Sequence, residues 1–298
     1  MKCPHCNQEH PNGFQFCPTT GQKINALRAC SNPECPNCGK YILSFDSRFC
    51  PLCGSKLFEN PKSENKDSSK LTFTVCGVSF KMIKVDAGTF MMGCKTGERR
   101  ERHVHEVSLS SYYIGETQVT QALWLAVMGD NPSDFMGENN PVNRVNWFDC
   151  EIFLNKLNEL THKIFRLPTE AEWEFAAKGG KKSRGYQYAG SDDIEKVAWF
   201  DENSNSEVHP VARKKPNELG IYDMSGNVWE WCQDWGDRDY YKQSIDRNPK
   251  GPSSGSDRVC RGGGRSSIAG NCRVTYRNFN SPENKRSSIG LRIVIDGV

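Results

Sequence analysis

Fourteen of the 298 residues are cysteine, and they are distributed unevenly along the chain. Eight precede residue 54, six of them in pairs separated by two residues: Cys3, Cys6, Cys17, Cys30, Cys35, Cys38, Cys50 and Cys53. The other six occur singly: Cys76, Cys94, Cys150, Cys232, Cys260 and Cys272. Thiolates two residues apart can bind one tetrahedral ion, most often zinc. Because the first residues lack the apolar segment of a secretion signal, we expect a cytoplasmic chain whose clustered thiols bind metal and do not form disulfides.

Residues 30–58 contain the stronger zinc pattern. In the two knuckles, CPNCG and CPLCG, eleven residues separate Cys38 from Cys50, and the glycine of each knuckle allows a tight turn beneath the ion. A segment this short buries too little apolar surface to fold alone, so metal binding would supply most of its folding free energy. We therefore predict structural zinc here, with Cys30 as an alternative to Cys38 for the fourth ligand. The predicted ligands are Cys35, Cys38, Cys50 and Cys53.

Residues 1–29 repeat this pattern incompletely. Cys3, Cys6 and Cys17 supply three thiolates for zinc, but Thr20 occupies the position where a fourth cysteine is expected. The candidates for the fourth ligand are His5, His10 and Cys30. Residues 1–60 hold six basic and four acidic side chains, a balance too small for a phosphate-binding surface. Docking or oligomerisation is therefore favoured over nucleic-acid binding as the role of these modules.

Residues 59–70 are a predicted linker, because these twelve positions contain no apolar residue and cannot pack into a core. The main domain follows at residues 71–298, a length that suits one α+β unit. The whole chain has a net charge of +3 and a mean hydropathy of −0.68. No apolar run approaches the roughly 18 to 20 residues of a membrane-spanning helix. The net charge therefore indicates no partner, and membrane insertion is not expected.

The hydrophobic pattern of the main domain predicts three helices and several short strands. Apolar residues at helical spacing predict a helix over residues 147–160. Thr169 and Glu172 form a capping-box pattern that predicts a helix ending at Gly179. A third, shorter helix is predicted at residues 121–128. Strands are predicted at residues 73–84, 104–114, 258–261 and 290–295.

Four blocks of the main domain carry a family signature. They are residues 88–93 (GTFMMG), 166–176 (RLPTEAEWEFA), 217–231 (NELGIYDMSGNVWEW) and 290–292 (GLR). Together these blocks resemble the formylglycine-generating enzyme (sulfatase-modifying factor) superfamily. The resemblance implies an α+β fold, a variant of the C-type lectin fold with little regular secondary structure. It leaves function open, because the superfamily includes copper-dependent oxidases, iron-dependent sulfoxide synthases and non-catalytic binding proteins.

The oxidases of this superfamily bind copper(I) through two cysteines that are five residues apart and closely follow a Gly-Gly-Ser sequence. On this chain the resemblance places the first cysteine at Ser267, the second at Cys272, and the serine of Gly-Gly-Ser at Gly264. A neutral hydroxyl cannot replace a thiolate in a two-coordinate copper(I) site. We therefore expect no copper and no catalytic residue; only in an oxidase would Cys272 be catalytic.

Residues 223–230 offer oxygen ligands for a cation. Asp223 and Glu230 lie seven residues apart across a glycine turn, with the carbonyls of Gly226 and Val228 between them. Hard oxygen donors of this kind suit calcium. In the family that the chain resembles, this turn binds calcium through the same positions. The resemblance therefore implies structural calcium at Asp223, Gly226, Val228 and Glu230.

Residues 258–292 have the largest charge asymmetry in the chain, with eight basic residues and one acidic residue. This segment is also similar to the carboxy-terminal region of variable proteins made by diversity-generating retroelements, many of which use the same fold. On such a face a rigid scaffold displays small polar and aromatic side chains, whose ordering on binding costs little. The candidate ligand-binding residues are Arg265, Ser266, Ser267, Ile268, Thr275, Tyr276, Phe279, Ser287 and Ser288.

The sequence therefore favours a non-catalytic cytoplasmic binding protein. Its expected ligand is a protein or another macromolecule, bound on a C-type-lectin-like face near residues 264–288, while the zinc ribbons serve for docking. The face is a candidate for diversification by a retroelement. The alternative is a copper-dependent formylglycine-generating oxidase that acts on a cysteine-containing peptide. A weaker alternative is a nucleic-acid adaptor that acts through residues 1–58.

Overall fold

The computed structural model describes residues 28–29, 41–42 and 69–297. Near the N-terminus, strand β1 (Arg28–Ala29) pairs antiparallel with strand β2 (Tyr41–Ile42). This pair belongs to a compact unit separate from the one that holds the helices. Every cysteine predicted to bind zinc lies outside the described residues, as does most of the predicted linker.

Eleven further strands and three α-helices lie within residues 69–297. The strands are β3 (Lys70–Val75), β4 (Val78–Val85), β5 (Gly88–Met92), β6 (His105–Leu109), β7 (Tyr112–Gly115), β8 (Phe165–Arg166), β9 (Trp229–Trp235), β10 (Arg258–Arg261), β11 (Asn278–Asn280), β12 (Ile289–Gly290) and β13 (Val294–Asp296). The helices are α1 (Gln121–Met128), α2 (Trp147–Thr161) and α3 (Glu170–Ala177). Short 3₁₀ turns occur at Arg99–Glu101, Gly180–Lys182, Ile194–Lys196, Tyr240–Lys242 and Ala269–Cys272.

A five-stranded sheet has the order β3-β4-β7-β13-β8. Its strand β13 comes last among the described strands but is not at an edge, because it pairs antiparallel with both β7 and β8. Phe73, Phe80 and Phe165 pack together on this sheet, with ring centroids 5.1 to 5.7 Å apart. The sheet therefore joins strands from widely separated parts of the domain.

A four-stranded sheet of order β11-β10-β9-β12 carries the segment that contains the predicted ligand residues. Strand β9 pairs antiparallel with β10 on one side and parallel with β12 on the other. The chain between residues 261 and 289 is therefore anchored on both flanks of one strand. A separate antiparallel pair, β5 and β6, completes the strand pairing of the described chain.

Local sequence explains where the helices begin and end. Helix α1 begins after Thr120, whose side chain accepts a hydrogen bond from the Leu123 backbone N–H, and ends at Gly129 in the left-handed conformation. Capping boxes start α2 at Asn146 and α3 at Thr169. All three predicted helices are confirmed. Within residues 69–297 no helix combines the length and the apolar composition that crossing a membrane requires.

Three of the predicted strands are wrong as single strands. Cys76 and Gly77 both have positive φ and turn the chain between β3 and β4, so residues 73–84 are a hairpin. Residues 104–114 divide into β6 and β7, and residues 290–295 divide between β12 and β13. The predicted strand at residues 258–261 is confirmed as β10.

The main core packs α3 against strands of both large sheets. Trp173 and Phe175 of the helix are buried together with Ile114 of β7, Val259 of β10 and Val294 of β13. All eight residues of α3 are buried. The helix is therefore the element around which the rest of the domain is assembled.

Candidate ligand-binding site

Four arginine–carboxylate pairs hold the C-terminal segment in place. They are Arg261–Glu174, Arg273–Glu101, Arg277–Glu170 and Arg292–Glu230. Burying an arginine is costly unless its charge is paired, and each of these four arginines is paired with a carboxylate. The buried Nε of Arg261 nevertheless has no hydrogen-bond partner within residues 69–297. Glu170 and Glu174 are one turn apart on α3, so this helix positions the segment that begins at β10.

The Arg277–Glu170 pair has the geometry of a strong ion pair. Arg277 Nε and Nη2 donate to the two carboxylate oxygens of Glu170, each at 2.7 Å. Burial by itself would lower the pKa of Arg277, but the Glu170 carboxylate outweighs burial and the pKa is raised. Arg277 therefore stays charged and fixes the chain beside β11.

The nine predicted ligand residues differ in exposure. Those that are exposed or partly exposed are Ser266, Ile268, Phe279, Ser287 and Ser288. Those that are buried are Arg265, Ser267, Thr275 and Tyr276. The structure therefore divides the predicted face into side chains that reach solvent and side chains that lie beneath them.

Thr275 and Tyr276 contact the N-terminal part of the domain. The Thr275 hydroxyl donates to Glu101 Oε2 at 2.8 Å. Arg100 Nη2 donates to the Tyr276 hydroxyl at 3.0 Å, and the Tyr276 ring lies 6.0 Å from the ring of Trp229. Through these contacts Thr275 and Tyr276 support the C-terminal loop from inside the domain.

Arg265 connects the two ends of the predicted face. Its Nη1 donates to Ser266 Oγ and its Nη2 donates to Ser287 Oγ, both at 3.0 Å. The guanidinium carbon lies 4.4 Å from the centre of the Phe135 ring. Phe135 is in the loop after α1, far from Arg265 in sequence, and no motif or periodicity in this loop predicts the contact.

A second aromatic and basic cluster is linked to Arg265 through Ser204. The Ser204 hydroxyl donates to the Arg265 carbonyl at 2.7 Å, and His209 Nε2 lies 2.9 Å from the Ser204 carbonyl. The His209 ring stacks on Trp199 with centroids 3.8 Å apart, and Lys214 Nζ lies 4.1 Å from the Trp199 ring centre. These side chains come from irregular loops, so the sequence analysis assigned them no role.

Ser267 and Cys272 are the residues that the family resemblance places at the copper-binding cysteine positions. The Ser267 hydroxyl oxygen accepts a hydrogen bond from the Gly264 backbone N–H at 2.9 Å. Burial raises the pKa of the Cys272 thiol to about 12. A thiol buried in this way is inert as a nucleophile, and copper(I) would have to displace its proton in order to bind.

The turn at residues 223–230 gathers oxygen atoms around a single nitrogen, Gln118 Nε2. The carbonyl oxygens of Asp223, Gly226 and Val228 lie 3.2, 3.4 and 2.8 Å from it. Glu230 Oε1 lies 3.0 Å from the same nitrogen. The four residues predicted to bind calcium thus face one point, and an amide group is placed at that point.

As arranged, these oxygens do not fit an additional cation. The Glu230 carboxylate already accepts hydrogen bonds from Gln118, Trp173 and Arg292, and Arg292 balances its charge. The Asp223 carboxylate accepts from the Ala212 backbone N–H instead of facing the turn. The calcium assignment that the resemblance implies stays untested, whereas the geometry favours the Gln118 amide at this position.

Two family models match the chain. The sulfatase-modifying factor enzyme 1-like domain matches residues 75–297, and the double zinc ribbon matches residues 3–54. The second match supports zinc as the ion bound by the clustered cysteines.

Individual proteins match most of the main domain. The chain is 33% identical over 268 residues to the chaperone protein LppX of Paenibacillus barcinonensis, covering 73% of this chain and 90% of LppX. It is 29% identical over 286 residues to the formylglycine-generating enzyme of Streptomyces coelicolor, covering 72% of this chain and 88% of the enzyme. Among solved structures, Treponema denticola variable protein 1 is 36% identical with a TM-score of 0.73, covering 76% of this chain and 99% of that protein. These matches confirm the predicted α+β fold, a variant of the C-type lectin fold.

Proposed function

The chain belongs to the sulfatase-modifying factor enzyme 1-like domain family, and on this premise we propose that it is a non-catalytic binding protein whose ligand is a protein or another macromolecule. Its ligand face consists of Arg265 and of the five predicted residues that reach solvent: Ser266, Ile268, Phe279, Ser287 and Ser288. The zinc ribbons serve for docking.

The observation that carries this proposal is the hydroxyl at Ser267. In the oxidases that the chain resembles, a thiolate holds copper(I) here, whereas the Ser267 oxygen is engaged with the Gly264 backbone N–H. The remaining thiol, Cys272, is buried and has a pKa raised to about 12 by that burial. One cysteine and a neutral hydroxyl supply at most one thiolate, whereas the two-coordinate copper(I) site needs two.

The build of the face also supports binding. Buried arginine–carboxylate pairs fix the segment from below, so the exposed serines and Ile268 can vary without disturbing the core. The likeness to Treponema denticola variable protein 1 supports the same view. Because the exposed residues are distinct from the buried arginine–carboxylate pairs, we infer that the face is suited to diversification by a retroelement. Diversification would change the exposed residues and preserve the buried pairs.

The cellular compartment is part of the proposal. Five cysteines of the main domain, Cys94, Cys150, Cys232, Cys260 and Cys272, are free thiols, which suits a reducing cytoplasm. No step of the proposed binding requires copper or calcium.

The proposal is tested by selecting peptides from a random phage-displayed library on the immobilised full-length chain. We expect enriched peptides to bind Ile268→Asp about tenfold more weakly than the unmodified chain, because a charge in the centre of an apolar contact is not compensated. Ile245→Asp is the matched control, since Ile245 is 60% exposed and Ile268 is 61% exposed. Peptides that bind both variants equally would contradict the proposed face.

A parallel measurement addresses the oxidase alternative. The full chain, supplied with copper(I) and a cysteine-containing peptide, should consume no oxygen with turnover. Ser267→Cys, which restores the missing sulfur, should bind copper(I) more tightly than the unmodified chain. Oxygen uptake with turnover by the unmodified chain would establish the alternative.

A further inference from the structure

Arg265 differs from the other buried arginines. Arg261, Arg277 and Arg292 are each paired with a buried carboxylate, whereas Arg265, only 8% exposed, forms no ion pair with any described residue. A buried charge without a counterion is costly. The position is therefore prepared for an anion that the described chain does not supply.

The guanidinium retains unused donors. An arginine has five N–H groups, and Arg265 uses one toward Ser266 and one toward Ser287. Its Nε is buried and has no hydrogen-bond partner within residues 69–297. Since both serine oxygens accept from the guanidinium, their own O–H groups remain able to donate to a third group.

No nearby acidic residue neutralises the positive charge of Arg265. Asp134 is next to Phe135, the residue on which the guanidinium lies, and it exerts an attraction on Arg265. Its carboxylate is, however, committed to Arg144, with Oδ1 and Nη1 2.7 Å apart. Burial lowers the pKa of Arg265, as expected for a charge that lacks a close partner.

The residues that contact the Arg265 guanidinium are themselves exposed or partly exposed to solvent. Ser266 is exposed, and Ser287 and Phe135 are partly exposed, so a group arriving at the ligand face meets the two hydroxyls and the guanidinium together. Ile268 is 61% exposed only three residues away in the chain. A polar anchor and an apolar contact thus lie on the same loop.

We propose that Arg265, with the hydroxyls of Ser266 and Ser287, is a binding site for a carboxylate group of the ligand. The inference rests on the proposed binding function and specifies its chemistry. A planar guanidinium matches the two oxygens of a carboxylate.

A single positive charge also suits a carboxylate better than a phosphate. Within the described chain neither serine hydroxyl is bonded to a second cationic group. Of the two basic residues just before Ser287, Lys285 is paired with Asp149 at 2.8 Å. The exposed Arg286 side chain forms no hydrogen bond to Ser266 or Ser287 within the described chain. A phosphate, which carries close to two negative charges at neutral pH, would leave one of them uncompensated here.

The first test uses acetate as the probe and thermal unfolding of the full-length chain as the readout. We expect 100 mM acetate to raise Tm by about 2 °C relative to chloride at equal ionic strength. The rise should be absent in Arg265→Gln and preserved in Arg184→Gln, an exposed control. Without acetate, Arg265→Gln should melt no lower than the unmodified chain, because the substitution removes an unpaired buried charge.

The second test uses two pools of amidated hexapeptides that differ only in a central glutamate or glutamine. A third pool combines the central glutamine with a free C-terminal carboxylate. Fluorescence anisotropy should show about tenfold tighter binding of one carboxylate-containing pool, and the pool that gains identifies a side-chain or a C-terminal source. The preference should disappear in Arg265→Gln and weaken in Arg265→Lys.

Two results would overturn the carboxylate site. One is a larger stabilisation by inorganic phosphate than by acetate. The other is a lower Tm of Arg265→Gln together with no effect of acetate, which would make Arg265 a structural residue. Both results leave the comparison of Ile268→Asp with Ile245→Asp unaffected, so failure of this site is distinguishable from failure of the proposed function.

Discussion

At the scale of single residues, Gln118 poses a question about the turn at residues 223–230. Its amide nitrogen faces four oxygens with only two hydrogens to share, and its Oε1 has no hydrogen-bond partner within residues 69–297. The Gln118 amide thus fills the centre of a cage of oxygen atoms, but it cannot satisfy the hydrogen-bonding capacity of every atom there.

We predict that the folded chain does not depend on calcium, because Gln118 fills the cage. Adding EGTA should leave Tm unchanged, and Gln118→Ala should destabilise the chain by about 1–3 kcal/mol as buried oxygens lose their donor. Gln118→Glu places a carboxylate against Glu230 and should fold well only when calcium is added. The measurement is thermal unfolding with and without calcium.

The control is Gln121→Glu, since Gln121 is equally buried but does not contact the cage. Its stability should not respond to calcium. A fall in the Tm of the unmodified chain on adding EGTA would instead support calcium binding by Asp223, Gly226, Val228 and Glu230.

Ser267 and Arg265 show which parts of the candidate site can be predicted from the sequence. The replacement of a copper-binding cysteine by Ser267 is visible from spacing alone, because it concerns neighbours in one loop. The residues that surround Arg265 cannot be predicted from spacing, since Phe135 and Ser287 come from other parts of the chain and meet it only in the folded domain. Burial likewise separates Thr275 from Ile268, although both have the residue types of a variable face.

At the scale of elements, α3 connects the core to the ligand face. Asp234 of β9 accepts a hydrogen bond at 2.9 Å from the Glu170 backbone N–H at the start of this helix. Burial and the nearby Glu170 carboxylate raise the pKa of Asp234 to about 8, while Arg277 opposes the rise. The folded state therefore retains a proton that the unfolded chain loses near pH 4.

The sign of the pH dependence follows from this difference. Between pH 4 and pH 8 the folded state binds more protons at Asp234 than the unfolded state, so the free energy of unfolding falls as pH rises. From pH 5 to pH 8 we expect the unmodified chain to lose on the order of 3 kcal/mol relative to Asp234→Asn, which cannot ionise. Urea unfolding at four pH values measures this, with exposed Asp193→Asn as the control. Parallel curves for the unmodified chain and Asp234→Asn would refute the prediction.

The elements differ in how well the sequence predicts them. Helix α1 has its predicted bounds because Thr120 caps its start and Gly129 ends it. The sequence does not predict strand β9, because five of its seven residues are buried, on both faces of the strand, and the alternation of a half-buried strand is absent. The sequence predicts one strand where β3 and β4 form a hairpin, because the turn between them places Cys76 at positive φ, a conformation that its residue type does not indicate.

At the scale of the whole molecule, the double zinc ribbon and the main domain rely on different sources of stability. The ribbon match at residues 3–54 includes all eight clustered cysteines, whereas the main domain has a large apolar core. Metal analysis of the full chain should give about two zinc ions. Cys50→Ser should lose about one of them, while Cys94→Ser, a free thiol of the main domain, should lose none. Equal zinc content in both variants would count against the ribbon.

The central place of β13 has a consequence for biosynthesis. Residues 294–296 lie between β7 and β8, so the five-stranded sheet cannot close until these residues have left the ribosome. Arg292, the partner of Glu230, is also translated only after the ligand loop. A nascent chain therefore exposes the loop that carries the proposed ligand face before the scaffold beneath that loop is complete. Substitutions in that loop face a folding requirement as well as a binding one, so proteolysis of newly made chains would remove variants that prevent the last strand from docking.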